Sequence, residues 1–178
     1  DVNSYWTLVT GLAANISVTT IIADPNDPTI MYIGSGESYT SGNTFGQGVW
    51  KSTDAGSTWS HIFGEASGTY NSNNQIINGI FYINEIVARN NAGSTELYIA
   101  VAGAYHRYSA GPNQFHSLND QGVYKSSDGG SNWTKFTINE TDGTPSNPND
   151  IELDINNNIW VTTTRSFYGH NGGKILKS

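Results

Sequence analysis

The 178-residue sequence predicts an all-β chain built from repeated antiparallel sheets, on three observations. Gly48-Val49-Trp50-Lys51-Ser52-Thr53-Asp54-Ala55-Gly56-Ser57-Thr58-Trp59 recurs as Gly122-Val123-Tyr124-Lys125-Ser126-Ser127-Asp128-Gly129-Gly130-Ser131-Asn132-Trp133, a match too long for chance. Each copy is preceded by two runs rich in β-branched and aromatic residues, and a shorter third unit holds Asp150–Ile155, Ile159–Thr162 and Lys174–Ser178. Gly, Asn, Asp and Pro separate the runs, and no 3.6-residue apolar period competes with them. Four short antiparallel strands, repeated, describe the blade of a β-propeller.

Taken in order, strand A of each unit falls at about 19–23, 84–88 and 150–155, and strand B at about 30–34, 97–102 and 159–163. Strand C follows at 48–52, 122–126 and 174–178, and strand D at 58–62 and 132–137. The opening Asp1-Val2-Asn3-Ser4-Tyr5-Trp6 aligns with Asp54 to Trp59, so residues 1–12 are expected to be the outer strand of a preceding blade. Residues 13–63 and 64–138 then form two blades, and 139–178 an incomplete one, within a single propeller segment. Known propellers begin at about four blades. Three are therefore expected to be part of a larger ring, completed by further blades of the same protein or, as the less favoured arrangement, by a second copy.

Composition narrows the function. Lys plus Arg number 8 against 15 Asp plus Glu, a net charge of −7, which leaves no basic footprint for a nucleic-acid backbone. No apolar run reaches the about 18 residues of a membrane span, so no membrane insertion is expected. With no Cys, disulfides, thiolate metal sites and thiol nucleophiles are excluded, and no cofactor motif is present. The charged fraction is only 13%, beside 20 Gly, 10 Tyr and 5 Trp, which predicts a neutral polar surface.

The repeated segment resembles the Asp-box, or BNR repeat, Ser-x-Asp-x-Gly-x-Thr-Trp. Ser52, Asp54, Gly56, Thr58 and Trp59 match all of it, and Ser126, Asp128, Gly130 and Trp133 match with Asn132 for Thr. Ala23-Asp24-Pro25-Asn26-Asp27-Pro28 with Met31-Tyr32-Ile33-Gly34-Ser35-Gly36-Glu37 is similar to the blade opening of sortilin/Vps10-like propellers and of related secreted bacterial propellers. The resemblance implies a structural box on the outer edge of the ring, and a secreted or cell-surface location. The missing Cys favours a bacterial relative. The residue chemistry agrees: Ser and Asp satisfy turn amides, Gly supplies positive φ, and Trp plugs the strands.

Loop lengths point to the binding face. The A–B and C–D turns are short, whereas the B–C and D–A connections are long and, by strand alternation, emerge together. The B–C loops hold Tyr39, then Tyr105, His106, Arg107 and Tyr108, then Arg165, Phe167, Tyr168 and His170. Aromatic faces stack on sugars or clasp peptide side chains, and Arg forks onto carboxylates. The expected partner is a glycan or an extracellular protein; the bland alternative is that these aromatics pack the loops against themselves.

Enzymatic readings rest on less. A sialidase needs three converging Arg, and Arg89 falls at the opposite end of its blade from Arg107 and Arg165. A glycosidase needs two facing carboxylates, for which Glu37, Glu85, Asp150 and Glu152 are the candidates. The sequence thus predicts a ligand-binding propeller module, with a polysaccharide-cleaving propeller of the xyloglucanase kind and a purely structural module of a large surface protein as alternatives. No metal site is expected: Asp154-Ile155-Asn156-Asn157-Asn158 lacks the Gly and distal Glu of a calcium loop and reads as a hairpin turn.

Overall fold

The computed structural model describes residues 5–12, 16–38, 46–64, 69–70, 76–78, 81–106, 114–116, 118 and 120–178. The first sheet is an antiparallel meander of β1 (Val18–Ala23), β2 (Met31–Ser35), β3 (Val49–Ser52) and β4 (Ser60–Phe63). A short ribbon follows, β5 (Thr69–Tyr70) with β6 (Ile76–Asn78). The second sheet starts with β7 (Tyr82–Asn91) and β8 (Ser94–Ala102). A second ribbon, β9 (Ala104–His106) with β10 (Gln114–His116), interrupts it before β11 (Gly122–Ser126) and β12 (Thr134–Phe136) complete its four strands. The third sheet contains β13 (Asn147–Leu153), β14 (Ile159–Thr164) and β15 (Ile175–Lys177). No helix occurs among the described residues.

Strands A to D of the two full units and A to C of the third form as predicted, but residues 5–12, from the segment expected to be an outer strand, form no strand, and two further differences appear. The polar run Asn90 to Thr95 reads as loop, but β7 and β8 pair out to Asn91 and Ser94. Ala92 and Gly93, at φ of 51° and 87°, make a two-residue turn whose twist matches the strands. The two ribbons were not expected, and they lie inside the long B–C and D–A connections.

Alternation along β8 explains how the sheets stack. Leu97, Ile99 and Val101 face the first sheet and join Tyr32, Val49, Ile83 and Ile86 in one core cluster. Tyr98 and Ala100 point the other way, into a second cluster with Val123, Ile151, Ile159 and Val161. The middle sheet is thus buried on both faces, and each large aliphatic residue so enclosed contributes about 1.5–3 kcal/mol.

The C–D turns carry the repeated motif. Ser52 Oγ donates to Asp54 Oδ1 at 2.8 Å and accepts the Gly56 N–H at 2.8 Å, while Asp54 accepts the Thr58 N–H (2.8 Å) and hydroxyl (2.6 Å). Trp59 Nε1 closes the turn on the Gly56 carbonyl at 3.0 Å. Ser126, Asp128, Gly130 and Trp133 reproduce the pattern, with the Asn132 amide reaching Asp128 Oδ2 at 2.7 Å.

A polar seam runs along the A–B turns. Asp24, just after β1, accepts the Tyr32 hydroxyl at 3.0 Å and, from the next sheet, the Thr95 hydroxyl at 2.7 Å. Arg89 holds the corresponding place in β7, bonding Tyr98 OH at 2.9 Å and the Asn157 carbonyl of the third sheet at 2.7 Å. In the third sheet Asp154 accepts Trp160 Nε1 at 3.0 Å. In all three sheets a strand-C lysine lies over the strand-B aromatic: Lys51 over Tyr32, Lys125 over Tyr98 and Lys177 over Trp160, at 4.9 to 5.5 Å from the ring centre.

Candidate functional site

The B–C and D–A connections are stitched together on one face of the stack. Gln47 bridges Phe81 in parallel, flanked by Gly48 N–H to Phe81 O and Phe81 N–H to Gly46 O, each 3.2 Å. This crossing requires glycine, because a Cβ on Gly46 would stand 2.0 Å from the Phe81 carbonyl oxygen. Ser38 Oγ donates to Asn84 Oδ1 at 2.8 Å beside it. At the second junction the Gly103 N–H reaches Asn147 Oδ1 at 2.9 Å.

The third junction is the most polar. His170 Nε2 lies 2.9 Å from Asp142 Oδ2, and Lys174 Nζ lies 2.8 Å from Glu140 Oε2. Ser146 Oγ donates to the other Glu140 oxygen at 2.6 Å, and Lys174 also bonds the Asn139 carbonyl at 2.8 Å. The Thr144 hydroxyl and N–H, followed by His170, hold the Asp142 carboxyl well below the usual carboxylate range. Lys174 and then Ser146 lower that of Glu140. Within the loop, Tyr168 N–H donates to Ser166 Oγ at 3.0 Å and Ser166 N–H to the His170 carbonyl at 3.0 Å. This compact turn leaves Arg165 and Tyr168 exposed, with no hydrogen bond or ion pair from the Arg165 side chain among the described residues.

The other sequence candidates fall as follows. Tyr39, Arg107 and Tyr108 lie outside the described residues. Tyr105 and His106 belong to β9, whose backbone pairs with Phe115 and Gln114. Phe167 is half-buried beside the exposed Tyr168. Glu37 is half-buried at the start of the first B–C loop. Glu85 is engaged by the Thr20 hydroxyl and by the Ile86 N–H. Glu85 and Asp150 occupy the same place on their strands, each just after a register shift. Glu152 pairs with Trp160 near the A–B turn, at the end of β13 remote from the B–C loop. Among the described residues no three His, Asp or Glu converge as metal ligands would.

Sequence reasoning passed over Asp142, Glu140 and Lys174, which anchor the third loop. It also passed over Glu96, buried between Arg89 (2.7 Å) and Lys125 (2.8 Å). Burial alone raises the Glu96 carboxyl, but bonds from Lys125, Arg89 and Asn91 outweigh it and bring it down to about 2. The repeating Lys was a visible signal for part of this cluster; the carboxylate that meets it depends on strand register.

No family model matches the sequence. A xyloglucanase of a Paenibacillus species is 27% identical over 164 residues, covering 86% of this chain and 13% of the relative. Among solved structures, the GH74 enzyme of Niastella koreensis is 26% identical with a TM-score of 0.51, covering 88% of this chain and 19% of that one. The chain is all-β and propeller-like. The GH74 xyloglucanase of Xanthomonas campestris, 18% identical with a TM-score of 0.53 over 88% of this chain and 20% of that one, shares the fold. The chain thus spans a fifth or less of the length of these relatives.

Proposed function

We propose that this chain is a segment of a secreted or cell-surface bacterial propeller of the Asp-box kind, and that it binds a glycan through the face formed by its B–C and D–A loops. The observation that carries the reading is the third junction. A hydrogen bond between His170 and Asp142 and an ion pair between Lys174 and Glu140 hold the loop against its neighbour while Arg165 and Tyr168 stay exposed on it. A stacking ring and a forked cation on a braced loop suit a sugar chain, since little ordering entropy remains to oppose binding. The relatives named as xyloglucanases make a β-glucan with side branches the first ligand to try.

The unit boundaries 1–12, 13–63, 64–138 and 139–178, and the sortilin-like opening at Asp24-Pro25, belong to the same proposal. A glycoside hydrolase is the second reading, favoured by the names of the relatives and by the loop-side position of Glu37. Affinity electrophoresis of the chain in gels containing xyloglucan, cellulose derivatives or unrelated polysaccharide tests binding, and release of reducing ends tests cleavage. Retardation by xyloglucan that Tyr168→Ala or Arg165→Ala reduces at least about tenfold, the loss expected for one stacked or forked contact, is the expected result. Unretarded migration in every gel overturns the glycan reading.

A further inference from the structure

Two buried asparagines join the bases of all three B–C loops. Asn84 lies at the register shift of β7 and is 9% exposed, and Asn147 opens β13 and is 7% exposed. Asn84 Oδ1 accepts the Ser38 hydroxyl of the first loop at 2.8 Å, while its Nδ2 donates across the second junction to the Pro148 carbonyl at 3.2 Å. Asn147, the residue before Pro148, accepts the Gly103 N–H on Oδ1 at 2.9 Å, where the second loop begins. Its Nδ2 donates to Thr164 Oγ1 at 3.3 Å, where the third loop begins.

The chemistry of these bonds calls for an amide. A carbonyl can only accept and an N–H can only donate, so Pro148 and Gly103 fix which way each asparagine faces. Aspartate in place of Asn84 would set oxygen against the Pro148 carbonyl, and an apolar residue would leave buried partners unmet. The register shift is what aims Asn84 between sheets rather than along its own. Other braces on this face are local: the Gln47–Phe81 crossing and the His170–Asp142 bond each tie one loop to one adjoining connection. The asparagines run from loop to loop.

We propose that Asn84 and Asn147 are positioning residues of the glycan-binding face, setting the spacing of the three B–C loops for a chain ligand that lies across more than one sheet. The ligand in this statement rests on the glycan reading of the face, whereas the link between loops rests on the four hydrogen bonds. Loops held at a fixed spacing in advance leave less to be ordered when an extended ligand binds. A ligand short enough to meet one loop gains nothing from the placement of the others.

Two measurements test the link and the ligand separately. Without ligand, hydrogen exchange at the Gly103 amide should accelerate at least about tenfold in Asn84→Asp, although the bond altered is the one to Pro148. Asn84→Ala, which buries no charge, should do the same, while the Val161 amide in the middle of β14 stays protected as a sign that the sheets are intact. Calorimetric titration with xyloglucan oligosaccharides of increasing length should show affinity rising with length. Asn84→Ala should weaken binding of the longest at least about tenfold and leave the shortest unchanged, a split that general destabilisation would not produce. Unaltered Gly103 exchange in both Asn84 variants overturns the link. Equal losses at every length, or none, overturn the positioning role. No binding of any oligosaccharide by the unaltered chain overturns the glycan reading and the positioning role with it, and the exchange result then decides the link alone.

Discussion

Asn132 reaches Asp128 with an amide at 2.7 Å where Thr58 reaches Asp54 with a hydroxyl at 2.6 Å. Two different donors thus complete the same carboxylate-centred turn. Asn132→Thr should leave the thermal midpoint nearly unchanged, whereas Asn132→Val should lower it by about a few degrees. Differential scanning calorimetry of the two variants checks this, and equal losses would show that the side-chain bond is immaterial.

The same turns set an acid limit. Hydrogen bonds from Thr58 and Ser52 hold Asp54 down at about 2, and those from Asn132 and Ser126 do the same for Asp128. Both folded values lie below the ordinary 3.8, so these groups bind fewer protons folded than unfolded. Their contribution is intact above about pH 4 and is lost as the pH falls through about 2. Melting temperatures measured from pH 7 to pH 2 should be level and then fall, and Asp54→Asn with Asp128→Asn should flatten the fall.

Among the described residues, Glu96 is the one carboxylate buried among two cations and a phenol, accepting from Arg89, Lys125, Asn91 and Tyr98. Glu96→Ala should cost on the order of 3 kcal/mol in urea unfolding, because it strands both cations beside the buried Tyr98 ring. Glu96→Gln, which keeps the shape and part of the bonding, should cost less. A surface-like loss below about 0.5 kcal/mol for Glu96→Ala would contradict this account.

Gly46→Ala should destabilise the first loop junction by more than an ordinary surface change, since the added methyl meets backbone and no flexible side chain can yield. Hydrogen exchange at the Phe81 and Gly48 amides should accelerate in the variant while the amides of β14, two sheets away, stay protected.

The strands were legible because the same motif marks strand C and the turn after it, and the β-branched runs before it then fall into place. The extension of β7 and β8 was hidden by Asn90, Asn91, Ser94 and Thr95, polar residues that prefer turns but here pair across a positive-φ dipeptide. The loop braces could not be read. His170 and Asp142 stand 28 residues apart in the chain and meet only because two connections emerge side by side. Arg165, Tyr168 and His170 were recognisable as residue types suited to a ligand, but which of them would be tied down and which left open is a matter of tertiary placement.

The A–B seam gives the stack a reading direction. Asp24, Arg89 and Asp154 fill one position as acceptor, donor and acceptor, and the partners supplied by the following sheet, the Thr95 hydroxyl and the Asn157 carbonyl, are matched in polarity to Asp24 and Arg89. Deleting the middle sheet and fusing the first to the third would set the Asp24 carboxylate against a carbonyl oxygen, two acceptors with no proton between them. Units that look interchangeable by their repeated motif therefore carry an address, and the chain can be shortened or shuffled only if the polarity at this one position is rewritten with it.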